Sequence, residues 1–277
     1  MGSSGGRPFD QLRDRGLAAS KSRGQNFLRD PSLSLKIARL IMAEKPEGAS
    51  VLEIGPGLGA ITRPLIGLGA NVTAVELDRG LANALSAWAE AQGGALRVVL
   101  GDVLGMDPAG LGEPGRAIVA GNLPYNISSR LLFWFLENFL GSKGVFMLQK
   151  ELAARLASAP GGRDYGRLTV GLAPWYSVSA AFDVGPGAFQ PRPKVTSTVV
   201  VLRPRPDPPT MAPKELSAFT LLCFHSRRKT IFNNLAPAYG KERTQGILAG
   251  LGIAPGARPE TLSPSQYVAM AKAFGTP

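Results

Sequence analysis

Four short apolar runs, each broken at its carboxyl end by glycine, an acid or an amide, constrain this chain more than any other feature. Val51-Leu52-Glu53-Ile54 runs into Gly55-Pro56-Gly57-Leu58-Gly59-Ala60. The run from Asn71 to Val75 ends at Glu76, 21 residues after Gly55. Leu96-Arg97-Val98-Val99-Leu100 leads to Gly101-Asp102, and Ala117-Ile118-Val119-Ala120 leads to Gly121-Asn122-Leu123-Pro124-Tyr125. Runs this short read as buried strands, stopped by Gly and Pro. Open α/β sheets bind ligands at the carboxyl ends of their strands. The chemistry-bearing residues of this chain therefore gather on one edge of one sheet.

The first three strand ends describe a pocket for an adenosine-containing cofactor. Glycines at 55 and 57 let the backbone approach a ligand closely, and the helix that follows presents its first N–H groups. A carboxylate at Glu76 can bind both hydroxyls of a ribose, and Asp102 can accept from an adenine amine. Gly-x-Gly-x-x-Ala also satisfies the dinucleotide fingerprint, so these residues alone leave NAD and S-adenosylmethionine open. Their structural alternatives are a tight βα turn, a solvated acid and a turn cap. The fourth strand end separates the two cofactors. The Asn122 side-chain oxygen and the Leu123 carbonyl can accept hydrogen bonds from an exocyclic amine, with Tyr125 stacked on the ring that carries it. Asn-Leu-Pro-Tyr is similar to the motif of the adenine-N6 methyltransferases, and the dinucleotide reading predicts neither it nor basic flanks.

The 277 residues allow one large domain, or one with a smaller companion. A net charge of +11 and a pI near 10.1 call for a polyanionic partner, most simply nucleic acid. Cys223 and His225 are the one cysteine and the one histidine. That excludes a disulfide framework, a Cys/His zinc site and a Ser-His-Asp triad, and fits a reducing cytoplasm. No apolar run reaches the ~18 residues of a membrane span. Residues 1–20 read as a flexible basic arm that opens on Met1-Gly2-Ser3-Ser4-Gly5-Gly6, too polar for a signal peptide.

Three further stretches carry information. Lys21 to Leu28, a basic segment containing Gly-Gln-Asn-Phe-Leu, precedes a helix that Asp30 caps and Pro31 opens. Phe27 and Leu28 argue that it folds back onto the body. Pro186 to Val195 is a loop stiffened by three prolines, able to present Phe189 on a fixed support and Arg192 and Lys194 to a phosphate. Arg203 to Pro209 is a proline-rich linker. Beyond it the pattern turns helical, and from Arg203 on ten Lys/Arg stand against four Asp/Glu. Arg227, Arg228 and Lys229 are adjacent there and suit phosphate contacts.

Gly-Gln-Asn-Phe-Leu, Gly-x-Gly, Glu76, Asp102, Asn-Leu-Pro-Tyr, Phe-x-Pro-x-Pro-Lys-Val-x-Ser and Arg-Arg-Lys-Thr occur in one order from residue 21 to about 235. In this the chain resembles the ribosomal RNA adenine dimethyltransferases of the small-subunit type. The resemblance implies an α/β fold, a Rossmann-like seven-stranded sheet with one antiparallel strand over residues 21–203. A small helical C-terminal RNA- or ribosome-binding domain would follow over 210–277. It implies S-adenosylmethionine as donor, bound by the Asn26 and Leu28 backbone, Gly55, Gly57, Glu76, Asp102 and Asn122. Asn122, Leu123, Pro124, Tyr125 and Phe189 would handle the base, with Tyr125 and Phe189 on its two sides. Arg192, Lys194, Arg227, Arg228 and Lys229 would meet RNA. The implied activity is dimethylation of two adjacent adenines near the 3′ end of small-subunit ribosomal RNA, with no metal and no membrane. The alternatives are a large-subunit resistance methyltransferase, an adenine-N6 DNA methyltransferase and a non-catalytic assembly factor.

Overall fold

The structure, a computed structural model, describes residues 25–90 and 93–275. The expected arm over 1–20 and the basic residues Lys21 and Arg23 lie outside them. In chain order the elements are β1 (Phe27–Leu28), α1 (Pro31–Met42), β2 (Val51–Ile54), α2 (Thr62–Gly67), β3 (Val72–Glu76), α3 (Arg79–Glu90), β4 (Leu96–Leu100), β5 (Ile118–Asn122), α4 (Ser128–Asn138) and β6 (Lys143–Gln149). There follow α5 (Lys150–Leu156), α6 (Arg167–Leu172), β7 (Tyr176–Val184), β8 (Phe189–Gln190), β9 (Ser197–Pro204), α7 (Pro213–Cys223), α8 (Ile231–Tyr239), α9 (Lys241–Gly250) and α10 (Pro264–Phe274).

Seven strands form one sheet in the order β4-β3-β2-β5-β6-β9-β7. The pairs β4/β3, β3/β2, β2/β5 and β5/β6 are parallel, and β9 runs antiparallel to β6. This is the expected α/β sheet. The parallel strands are apolar on both faces because helices cover both, so Val51, Leu52, Ile118, Val119 and Ala120 are fully buried. Chain order reverses beside β2, where β3 lies to one side and β5 to the other. That switch point is where such sheets take ligands.

Helix α1 shows how the local signals work. Asp30 Oδ1 accepts the Ser32 and Leu33 N–H groups at 2.9 and 3.2 Å, and Pro31 opens the first turn. Its inward face carries Ile37, Ala38 and Ile41, with Leu33 and Leu40 packed at the margin. At its other end the buried Lys143 ammonium donates to the carbonyls of Leu40, Ile41 and Ala43, a cation set on the helix's negative pole.

The chain divides into two compact units. The first holds the described residues up to Lys150 together with Ala180–Leu202. The second holds Glu151–Ser179 and the residues from Arg203 on, so it takes in α6 as well as the helices after the linker. Reading the linker alone misses this, because nothing local in residues 151–179 reveals that α6 packs on α7. Arg167 Nη2 donates to Ser217 Oγ at 3.1 Å across that contact, and the Tyr165 hydroxyl donates to the Leu262 carbonyl at 2.8 Å.

Candidate active site

The ladders align the four strand ends. The Gly55 N–H donates to the Val75 carbonyl and the Gly101 N–H to the Glu76 carbonyl, each at 2.9 Å. Residues after β2, β3, β4 and β5 therefore open on one cleft of about 300 Å³. Asn26, Leu28, Gly55, Gly57, Glu76, Asp102, Asn122, Leu123, Pro124 and Tyr125 all line it.

Two glycines allow the close packing around it. Gly57 has φ +57°, and a Cβ there would come within 3.0 Å of the Phe27 ring. Phe27 thus lies against the glycine turn and lines the cleft. Gly121 meets a harder limit, since a Cβ would sit 2.5 Å from the Ile54 carbonyl oxygen. That close approach of β5 to β2 sets Asn122 beside the Gly55 turn.

Glu76 is buried, and both its oxygens are engaged by backbone. Oε2 accepts the Gly57 N–H at 3.0 Å and Oε1 accepts the Asp78 N–H at 2.9 Å. Burial raises this carboxyl above its ordinary value, and the two N–H donors pull it back. Asp102 is exposed at the cleft. Its Oδ1 accepts the Leu104 N–H at 3.0 Å, so the turn-capping role is real, and its second oxygen is uncommitted among the described residues.

Asn122 is oriented by a residue 96 positions earlier. Its Nδ2 donates to the Asn26 carbonyl at 2.9 Å. A carbonyl can only accept, so the amide nitrogen faces Asn26 and the amide oxygen is left as an acceptor. In the next turn, Ser128 Oγ donates to the Pro124 carbonyl at 2.8 Å and only grazes that of Leu123 at 3.5 Å. An amine entering here meets two acceptors, Asn122 Oδ1 and the Leu123 carbonyl. The Tyr125 ring lines the same cleft, and its hydroxyl lies 2.8 Å from Ser197 Oγ.

The remaining expected site residues are placed differently. β1 and β8 pair antiparallel, Leu28 opposite Phe189 and Phe27 opposite Gln190, so two motifs about 160 residues apart are zipped together. Phe189 is thereby buried in the core at 2% exposure, outside the cleft lining, with no face open to a base. Arg192 and Lys194 are exposed. In the second unit Arg227, Arg228 and Lys229 are all exposed, and Arg227 Nη2 also donates to the carbonyls of Arg163 and Tyr165 at 3.1 and 2.9 Å. Arg227 ties two chain segments together. Asn234 Nδ2 braces the same loop through the Cys223 and Ser226 carbonyls.

Sequence reading passed over Glu53. It lines the cleft at 2% exposure and accepts the Thr62 hydroxyl at 2.7 Å. An acid in the middle of an apolar strand was the available signal. Burial pushes its carboxyl from 4.5 up to about 7; the Thr62 bond opposes the rise and the nearby Glu76 charge adds to it. At low pH Glu53 is neutral folded and unfolded alike and costs nothing. As pH rises from 4.5 through 7 the unfolded chain sheds the proton first, so stability falls, by up to about 3 kcal/mol. Glu53→Gln should lose this part of the slope. Denaturant titrations at several pH values check it, and equal slopes in the two proteins would refute it.

The donor set suits an adenosyl methyl donor. Open backbone beside Gly55, a braced buried carboxylate at Glu76 and an available carboxylate oxygen at Asp102 are what its polar ends require. Among the described residues no group of three or more His, Cys, Asp and Glu side chains could hold a metal ion. No described helix is long and apolar enough to cross a membrane.

Comparison with known proteins agrees with this geometry. Ribosomal RNA small subunit methyltransferase A of Xanthobacter autotrophicus is 42% identical over 272 residues, covering 96% of this chain and 92% of its own. The protein of the same name from Pseudomonas aeruginosa is also 42% identical, covering 91% and 93%. Among solved structures, a dimethyladenosine transferase from Plasmodium falciparum matches with TM-score 0.74 and 25% identity over 88% of this chain and 95% of its own. The 23S rRNA methyltransferase ErmE matches with TM-score 0.65 and 30% identity over 90% and 99%. The family model described as "Ribosomal RNA adenine dimethylase" spans residues 16–275. With that match laid over a cleft lined by Gly55, Glu76, Asp102 and the Asn122-Leu123-Pro124-Tyr125 turn, the chain is a methyltransferase that belongs to the ribosomal RNA adenine dimethylase family.

Proposed function

We propose that this protein transfers methyl groups from S-adenosylmethionine to the N6 amines of two adjacent adenines near the 3′ end of small-subunit ribosomal RNA, in the cytoplasm. The observation that carries the reading is the Asn122-to-Asn26 hydrogen bond of 2.9 Å, which leaves an amide oxygen as acceptor in the cleft that also holds Glu76. Small-subunit RNA is favoured by the names of the 42%-identical relatives.

When bound, the donor supplies a methyl group already activated on a sulfonium. Little acid–base work is left to the protein. The difficulty lies in the amine, whose lone pair is delocalised into the adenine ring. Asn122 Oδ1 and the Leu123 carbonyl would accept its two N–H bonds and so fix its direction of attack. Tyr125 would stack on the extruded base, which must leave its helix to reach the cleft. Glu76 would hold the donor ribose and Asp102 the donor adenine, while the Gly55 turn and the Asn26 and Leu28 backbone would take the methionine end. Phe189 would serve behind this surface as support for β1.

Labelled methyl transfer to unmethylated small subunits, large subunits and DNA in parallel, with the product nucleoside identified, tests the reading. Dimethyladenosine in small-subunit RNA is the expected product. Label confined to large subunits or DNA would overturn the substrate assignment.

The grip on RNA would be separate from the chemistry. Each phosphate contact adds about 0.9 to the slope of log affinity against log salt. Replacing Arg228 and Lys229 together by Ala should flatten that slope by up to about 2 units and leave donor affinity unchanged. RNA binding over a salt series, with donor titration alongside, checks this. Arg227→Ala should instead weaken the second unit, since two carbonyls lose their donor.

A further inference from the structure

The motif Phe189-x-Pro191-x-Pro193-Lys194-Val195-x-Ser197 raises a question that the site leaves open. Its phenylalanine is buried in the core and its two cations are exposed, yet one of its side chains is bonded to the cleft lining. The motif side chain that hydrogen-bonds a cleft-lining residue is Ser197, whose Oγ lies 2.8 Å from the Tyr125 hydroxyl.

We infer that Ser197 is a positioning residue for methyl transfer, holding the far end of the Tyr125 ring so that its face is presented to the incoming adenine. The inference rests on the adenine-methylating reading above. Tyr125 sits on the irregular stretch between β5 and α4, half-buried, with its ring along the cleft. An aromatic side chain on such a stretch has two torsions to fix, and a hydrogen bond at the far end of the ring restrains both.

Ser197 can fix them because it is itself immobilised. It is fully buried, it opens β9, and it stands opposite Gln149 at the end of β6 in the antiparallel ladder. The next residue is pinned as well. Thr198 Oγ1 donates to Asp183 Oδ1 at 2.7 Å, and Asp183 pairs with Lys150 at 2.6 Å. Burial raises the Tyr125 hydroxyl above its ordinary value while the Ser197 bond opposes this, so the hydroxyl stays protonated at neutral pH. Stacking on a base needs the ring face alone. The hydroxyl therefore does not compete with the substrate for the ring, and its bond to Ser197 persists when the base enters.

A ring left to search its torsions places the base less often in line with the methyl group. The loss should fall on turnover and not on RNA affinity, which backbone contacts dominate. Ser197→Ala, Tyr125→Phe and the double variant should be compared with the wild type in methyl transfer to unmethylated small ribosomal subunits at saturating donor. Thermal unfolding and donor titration run alongside. Each single change should lower kcat by about 3- to 10-fold, the range set by one hydrogen bond, with KM, Tm and donor affinity nearly unchanged. The double variant should be no slower than either single, because both remove the same bond. Wild-type kcat in either variant, or losses that multiply in the double, would overturn the inference. If Ser197→Ala fails to fold, Tyr125→Phe decides alone, since it keeps the ring and the packing around Ser197. An inactive wild type would overturn the adenine reading itself, whereas an active wild type with unaffected variants overturns only the role of Ser197.

Discussion

Asn122→Ala lowers turnover by about 100-fold or more while donor affinity changes no more than a few-fold. The expected size is that of deleting one oriented polar group at a reacting centre. The direction follows from the geometry. The Asn122 amide spends its nitrogen on the Asn26 carbonyl at 2.9 Å and keeps its oxygen for the cleft. Alanine removes the acceptor that would orient the amine and leaves the Leu123 carbonyl to do so alone. Donor binding should survive because Asn26 does not depend on Asn122 for its place. The neighbouring Phe27 and Leu28 are held by the ladder to Gln190 and Phe189, and Phe27 packs on Gly57. Asn122→Asp should also be impaired. It restores an acceptor, but a carboxylate oxygen would then face the Asn26 carbonyl without a proton between them. Single-turnover rates, with donor affinity from calorimetry, separate the two quantities. A near-normal rate in Asn122→Ala would mean that another group orients the amine.

Glu76→Gln weakens donor binding by about 1.5–3 kcal/mol, the usual range for hydrogen bonds to a charged group, which is roughly 10- to 150-fold in Kd. Gln is isosteric here and still a poor substitute. Glu76 accepts two backbone N–H groups, one on each oxygen, from Gly57 and Asp78. An amide offers one oxygen, so its NH₂ group must face one of those N–H donors. The glycine turn over which the donor would lie then loses its anchor together with the ribose-binding charge. Binding of S-adenosylmethionine and of NAD to both proteins checks the expectation. Unchanged donor affinity in the variant would remove Glu76 from the site, and wild-type binding of NAD alone would overturn the cofactor.

Much of this could be read along the chain. The four strand ends, the Asp30 cap and the helical segment after the linker are local signals, because period, capping and turn chemistry act over a few residues. Convergence of Gly55, Glu76, Asp102 and Asn122 on one edge also follows, once a parallel sheet puts every carboxyl end on the same side. What those residues bond to did not follow. Asn122 meets Asn26 from 96 positions away, Tyr125 meets Ser197 from 72, and Arg227 meets Tyr165 from 62. No pattern in the chain names such partners, since each depends on which loops close over which strands.

The same limit explains the residues that were read one way and placed another. Phe189 looked like a base clamp because a proline-stiffened loop can present a ring; pairing of β8 with β1 turns that ring into the core. Arg227 looked like its two neighbours because charge runs have no direction in sequence, and the fold gave one of the three a pair of carbonyls. Glu53 looked like part of a strand, and only the packing around it made it a carboxyl that titrates near 7. Residue type and spacing settled which chemistry this chain carries. Tertiary structure decided which atoms remain available to perform it, because an unspent acceptor is known only after every other hydrogen bond has been made.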